Sequence, residues 1–256
     1  MCLIAMAYRV HPRWPLVLVG NRDEAHARPA APAGPDPAHP GVVGGRDLRQ
    51  GGSWLQAGRH GRVAAVTNVR HGLTEAPAPR SRGALVTRFA ASSATAADAA
   101  RALASEAGDY GRFNLVLFDG ADAWYAGNHP HWRAHGIAPG LHVLSNGAFD
   151  AAWPKSRRAG AALDRWLATG SAGVDALLLA MADERPVPDA ELPDTGVPQA
   201  IERALAPPFI RGRDYGTRAT TILLAAPDAV WLHELRYGPE GMRGGASTLS
   251  LTFAPS

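Results

Sequence analysis

Met1-Cys2-Leu3-Ile4-Ala5-Met6-Ala7-Tyr8 and Leu16-Val17-Leu18-Val19-Gly20-Asn21-Arg22-Asp23-Glu24, separated by a turn at His11-Pro12-Arg13, decide how this chain is read. Residues 3–10 and 16–20 are short apolar runs bounded by turn residues, the pattern of strands buried on both faces. Asn21-Arg22-Asp23-Glu24 follows the second run, either as a solvated turn or as a buried network that orients the amino terminus. Cys2 is the only cysteine, which excludes an intramolecular disulfide and a Cys-rich metal site. It is small enough for an aminopeptidase to remove Met1 ahead of it. A free amino-terminal cysteine carries a thiol and an α-amine on one residue. The reference pKa of that amine, about 7.7–8.0, leaves part of it unprotonated at neutral pH. One residue then serves as attacker and proton acceptor, the N-terminal nucleophile arrangement. The competing reading is a small apolar residue buried in a first strand.

Outward from this stretch, residues 28–40 hold many prolines and alanines and are expected to form an irregular surface loop. Residues 51–56 and 62–68 read as a hairpin around 58–61. Asn68 closes its second strand, where an Asn can cap a turn or donate to an oxyanion. Ser81 is placed to cap a helix over 82–91, and a second helix is expected over 95–107, ending near Gly108. Residues 112–119 and 123–126 read as a hairpin turned by Asp119-Gly120. Residues 141–147 form a short strand ending in Asn146-Gly147. Asp150 is expected to cap a helix running to Trp166, with Pro154 near its first turn. A short helix over 174–181, a proline- and acid-rich loop over 186–198 and about one helical turn over 201–205 follow. Strands are expected over 215–224, 230–234 and 247–253. His129, His131 and His135 lie close in sequence, but Pro130 and Gly136 argue against a helical metal pair, so no metal site is expected. Strands in hairpins at both ends with helices grouped between them predict an α+β layer architecture, with no linker dividing residues 1–256.

The formal net charge of +3 is small, and no basic cluster interleaves with aromatics, so nucleic acid binding is not indicated. Lys155 is the only lysine among 26 basic residues. The first apolar run is too short for a signal peptide and is interrupted by Arg9, and no run approaches a membrane span; a cytoplasmic location is the expectation.

The chain resembles the NRDE family, named for Asn21-Arg22-Asp23-Glu24, whose eukaryotic members are transport and Golgi organisation proteins of the second type. The likeness runs from Met1-Cys2 to about Glu234. It takes in Arg28-Pro29, Gly51-Gly52-Ser53-Trp54-Leu55, Ala65-Val66-Thr67-Asn68, Arg82-Gly83-Ala84-Leu85-Val86, Phe113-Asn114-Leu115, Leu144-Ser145-Asn146 and Tyr215-Gly216-Thr217-Arg218. The family is grouped with the N-terminal nucleophile hydrolases. The resemblance therefore implies a four-layer αββα sandwich of two antiparallel sheets. A more distant likeness to the choloylglycine hydrolases and penicillin V acylases implies Cys2 as nucleophile, with Arg22, Asp23, Asn68, Asn146 and Arg218 around it. In those hydrolases an Arg lies three residues before the Asp; here Gly20 occupies that place and Arg22 adjoins Asp23. Adjacent strand residues point to opposite faces, so Arg22 and Asp23 are not both expected to face Cys2; of the two, the resemblance carries over better to Asp23.

Two functions follow. The first is a cysteine hydrolase cleaving a linear amide or thioester without a cofactor. The second is a ligand-binding or trafficking protein that kept the fold and handles haem or acyl-CoA and lipids, as family members have been linked to both. Cys or His could then ligate haem iron.

Overall fold

The structure is a computed structural model that describes residues 2–170 and 173–253. Strands β1 (Cys2–Tyr8) and β2 (Leu16–Ala25) form the predicted hairpin. Between β2 and the middle of the chain come β3 (Ala30–Pro35), β4 (Val43–Asp47), β5 (Leu55–Ala57) and β6 (Val63–Asn68). Helices α1 (Arg82–Ala90) and α2 (Ala96–Ala102) precede β7 (Phe113–Phe118), β8 (Ala123–Gly127), β9 (Arg133–Gly136) and β10 (Gly140–Leu144). Helices α3 (Pro154–Ala168), α4 (Asp175–Met181) and α5 (Gln199–Ala204) follow. The described chain closes with β11 (Tyr215–Ala225), β12 (Ala229–Tyr237) and β13 (Arg243–Thr252).

Two antiparallel sheets result. A six-stranded sheet has the order β10-β1-β2-β11-β12-β13, and a seven-stranded sheet runs β3 to β9 in sequence order. Alternation along β1 explains why that strand is apolar on both faces. Ile4, Met6 and Tyr8 enter the core between the sheets, with Leu55, Val63, Val116 and Phe118 of the opposite sheet. Leu3, Ala5 and Ala7 pack under α3 and α4 against Leu163, Trp166 and Leu177. Fully burying one large apolar side chain contributes about 1.5–3 kcal/mol, so a strand without a polar face is stable only when both faces are covered. A third core seats α1 and α2 on the outer face of the seven-stranded sheet through Leu85, Phe89, Phe113 and Leu115. The layers are thus helix, sheet, sheet, helix, as the resemblance implied. Among the described residues no helix is long and apolar enough to cross a membrane.

The structure corrects several local expectations. Part of the expected loop over 28–40 is β3. It is the edge strand of its sheet, with a register shift between Ala31 and Gly34, and an edge is where proline, lacking an N–H, is tolerated. The first strand of the hairpin expected over 51–68 starts at Leu55 rather than Gly51. β9, in the histidine-bearing segment, is a second edge strand that the sequence pattern did not single out. Ser81 does cap α1, its hydroxyl accepting from the Gly83 N–H. Asp150, in contrast, is not a helix cap, because α3 begins at Pro154. Asp150 instead adopts a positive φ of 58° and clamps β10, its carboxylate accepting from the Val143 N–H and pairing with His142 Nδ1 at 2.8 Å.

This clamp titrates. The hydrogen bond to Asp150 raises the pKa of His142 above its ordinary value, so the folded state holds that proton more tightly than the unfolded chain. The stabilisation is complete below about pH 6.5, the unfolded value, and is lost as pH rises through the folded pKa. Thermal melting between about pH 5 and 8 should therefore show a loss on the alkaline side that shrinks in Asp150→Ala.

Candidate active site

The site begins with the register of the first hairpin, in which Cys2 lies directly across from Arg22. Even-numbered residues of β1 and β2 face the space between the sheets, so Cys2 and Arg22 share that face. Arg22, 6 % exposed, lays its guanidinium over the Trp54 indole, 4.4 Å from the ring centroid. The backbone makes room for this ring at Gly45, where a Cβ would come within 2.2 Å of it. Burial pushes the Cys2 thiol up; Asp23 adds to the rise, and Arg22 works against it by favouring the thiolate.

Asp23 is the next residue along β2 and points to the opposite face, toward the α3 layer. It stands at the amino end of β1, one step past the Cys2–Arg22 pair. It is buried, and its Oδ1 accepts from Thr217 Oγ1 at 2.8 Å. Tyr215 donates its hydroxyl to the Asp23 main-chain carbonyl at 3.1 Å. Desolvation raises the Asp23 pKa, and the strongest opposing influence is the positive charge of Lys155. Lys155, in the first turn of α3, is itself buried, and desolvation pulls it down to about 8, against the attraction of Asp23 and Cys2.

The two candidate asparagines meet across 78 residues of sequence: Asn146 Nδ2 donates to Asn68 Oδ1 at 3.0 Å and to the Asn68 carbonyl at 3.1 Å. The segment carrying Asn146 is held by bonds from β6, β7 and the chain after β6. Thr67 Oγ1 donates to the Ser145 carbonyl, Asn114 Nδ2 to the Gly147 carbonyl, and the Arg70 N–H to the Asn146 carbonyl. Arg70 is anchored in turn by Glu202 and Thr195. Cys2, Arg22, Asp23, Asn68 and Tyr215 line one cleft of about 390 Å³, whose far wall includes Trp54 and the Ser81–Gly83 start of α1.

Arg218 is placed elsewhere. It sits in a bulge of β11, where the register shifts between Thr217 and Ala219, and its guanidinium binds the carbonyls of Ala25, His26 and Arg28. It fixes the turn after β2 and is not among the residues lining the cleft. Among the described residues no cluster of His, Cys, Asp and Glu is arranged to hold a metal ion.

The family model for transport and Golgi organisation 2 matches residues 1–236. The chain belongs to this family. Its curated relatives include the transport and Golgi organization protein 2 homologs of Bos taurus, 30% identical over 248 residues, and of Homo sapiens, 28% identical over 251 residues. Each alignment covers 89% of this chain and 90% of the relative. The fold matches a solved structure of a Caenorhabditis elegans N-acylethanolamine-hydrolyzing acid amidase ortholog, with a TM-score of 0.52 at 8% identity. That match covers 88% of this chain and 92% of that one, and it shows an N-terminal nucleophile hydrolase-like fold.

As expected of adjacent strand residues, Arg22 and Asp23 do not both share the face of Cys2: Arg22 does, while Asp23 approaches from the amino end of the strand and lines the same cleft. Sequence reasoning did not place Lys155, Trp54 or Tyr215 at the site. The solitary lysine in an arginine-rich chain was the one available signal for Lys155. Removing the Arg22 charge by Arg22→Gln should raise the thiol pKa further. A shift of about one unit would slow alkylation of Cys2 by iodoacetamide about tenfold at neutral pH. The pH–rate profile checks this without interference, because the chain has no other cysteine.

Proposed function

We propose that this chain is a cysteine N-terminal nucleophile hydrolase that cleaves a linear amide or a thioester, with Cys2 freed by removal of Met1. Met1 lies outside the described residues. The observation that carries the reading is the convergence of Cys2, Asp23 and Asn68 on one cleft, each reaching it from a different direction. The fold-level likeness to an acid amidase supports the same class of chemistry.

In this mechanism the Cys2 sulfur attacks the substrate carbonyl carbon, and the thiol proton passes to the α-amine. Asp23, at the amino end of β1, holds that amine, and Arg22 favours the thiolate. The carbonyl oxygen takes up the electron pair and accepts a hydrogen bond from Asn68 Nδ2. One such donor is worth about 3–4 kcal/mol in the transition state. Collapse of the intermediate breaks the bond to the leaving amine or thiol, which departs with the proton from the α-ammonium. Water, deprotonated by the same amine, then hydrolyses the thioester on Cys2 and restores the thiol.

Intact mass comes first. A mature chain short of one methionine is required, and retention of Met1 sinks the mechanism, because the Cys2 nitrogen would then be an amide. With the processed protein and a panel of acyl amides and thioesters, Cys2→Ala should abolish turnover. Asp23→Asn should cost about 10²-fold or more, and Asn68→Ala about 10²–10³-fold, in kcat. Haemin titration read at the Soret band, with Cys2→Ala as the control, separates this enzyme from a haem carrier using the same thiol.

A further inference from the structure

Lys155 is the only lysine of the chain and is 2 % exposed. Such a residue is costly: its charge is desolvated, and a lysine at a buried position needs a reason to be there. Its Nζ lies 3.2 Å from Asn146 Oδ1, and Asn146 is 0 % exposed. Asn146 Nδ2 reaches Asn68 Oδ1 and the Asn68 carbonyl.

The oxygen and nitrogen of an amide are nearly identical in shape, so the partners decide which end points where. An ammonium only donates, so Asn146 must offer it the oxygen. Its NH2 group then faces Asn68, whose main-chain carbonyl only accepts, so both fixed groups select the same orientation. Asn68 in turn must offer Oδ1 to Asn146, which leaves Nδ2 as the end directed to the cleft that Cys2 also lines. Ser145 Oγ also donates to Asn146 Oδ1, at 3.5 Å, but of the groups that hold this amide only Lys155 carries a charge. A cation at the head of a hydrogen-bond chain strengthens each donor downstream.

We infer that Lys155 is a positioning residue which, through Asn146, aligns and polarises the Asn68 amide as the oxyanion donor beside Cys2. The inference rests on the hydrolase reading above and adds to it a residue that touches neither substrate nor sulfur. It also accounts for the location of Lys155 in the first turn of α3. Pro154 fixes the start of the helix, and Asp23 supplies the countercharge that keeps the ammonium in place.

The test compares two reactions of the same thiol. Acylation by p-nitrophenyl acetate forms the sulfur–carbonyl bond, passes through an oxyanion and expels p-nitrophenolate with the electron pair of the broken bond. Alkylation by iodoacetamide displaces iodide at a saturated carbon and forms no oxyanion. Lys155→Met keeps length and apolar volume but removes the donor and the charge. It should slow acylation of Cys2 by about 10–100-fold while alkylation at matched thiolate fraction changes by less than about twofold. In the Asn68→Ala background the same substitution should add little, because the two act in series. An unchanged ratio of acylation to alkylation in Lys155→Met, or full additivity with Asn68→Ala, overturns the inference. Should Lys155→Met fail to fold, Asn146→Asp serves: it keeps the acceptor for Lys155, removes the donor to Asn68, and is expected to lower the same ratio. Should the wild-type thiol resist acylation altogether, the hydrolase reading fails. Positioning is then decided by hydrogen exchange of the Asn146 side-chain amide, which must be protected in the wild type and exposed in Lys155→Met; equal protection in the two overturns it.

Discussion

Cys2 and Arg22 face one another across the β1–β2 ladder, and the rest of the site depends on that register. Successive strand residues alternate faces, so a shift of one residue would exchange Arg22 and Asp23 and reverse the electrostatics around the sulfur. In the observed register the sheet itself separates two neighbouring opposite charges. Arg22 lies with the thiol between the sheets, against Trp54, while Asp23 lies at the amino end of β1 on the side of Thr217 and Lys155. Residues 3–8 and 16–19 are apolar on both faces, so their pattern alone would tolerate a slip; the turn between them, closed by the Arg9 N–H to the Pro15 carbonyl, sets the register.

The second constraint is the cost of keeping charges out of water. Asp23, Lys155, Arg70 and Glu202 are all buried. The effective penalty is several kcal/mol per ion unless geometry and hydrogen bonds compensate. Compensation comes from neighbours fixed by secondary structure: Thr217 on β11 for Asp23, Asn146 for Lys155, and Thr195 with Glu202 for Arg70. These groups come from β2, β11, the start of α3, α5 with the residues just before it, and the segments that follow β6 and β10. Arg218 belongs to this architecture in another way, since its three carbonyl contacts hold the turn that follows β2 and so keep the strand carrying Arg22 and Asp23 in place.

By itself the sequence determined the buried strands, the main helices and the nucleophile candidate. Unbroken apolar runs such as 3–8 and 16–19 demand cover on both faces, and the order of hairpins and helices then leads to packed antiparallel sheets. The single cysteine at position 2 and the ordered motifs of the family were also legible, because each is a local property of the chain. Proline-bearing β3 was not legible, since an edge strand tolerates residues that local pattern counts against it. Only the tertiary structure decided which polar residues meet. The Asn68–Asn146 contact spans 78 residues and exists because β6 and the segment after β10 converge at one end of the two sheets. Lys155 reaches the same point because α3 starts there, and Arg218 is diverted from it by one bulge in β11. Periodicity records which face of an element is buried; it carries no information about what that face is buried against, and the chemistry of this site resides in that second fact.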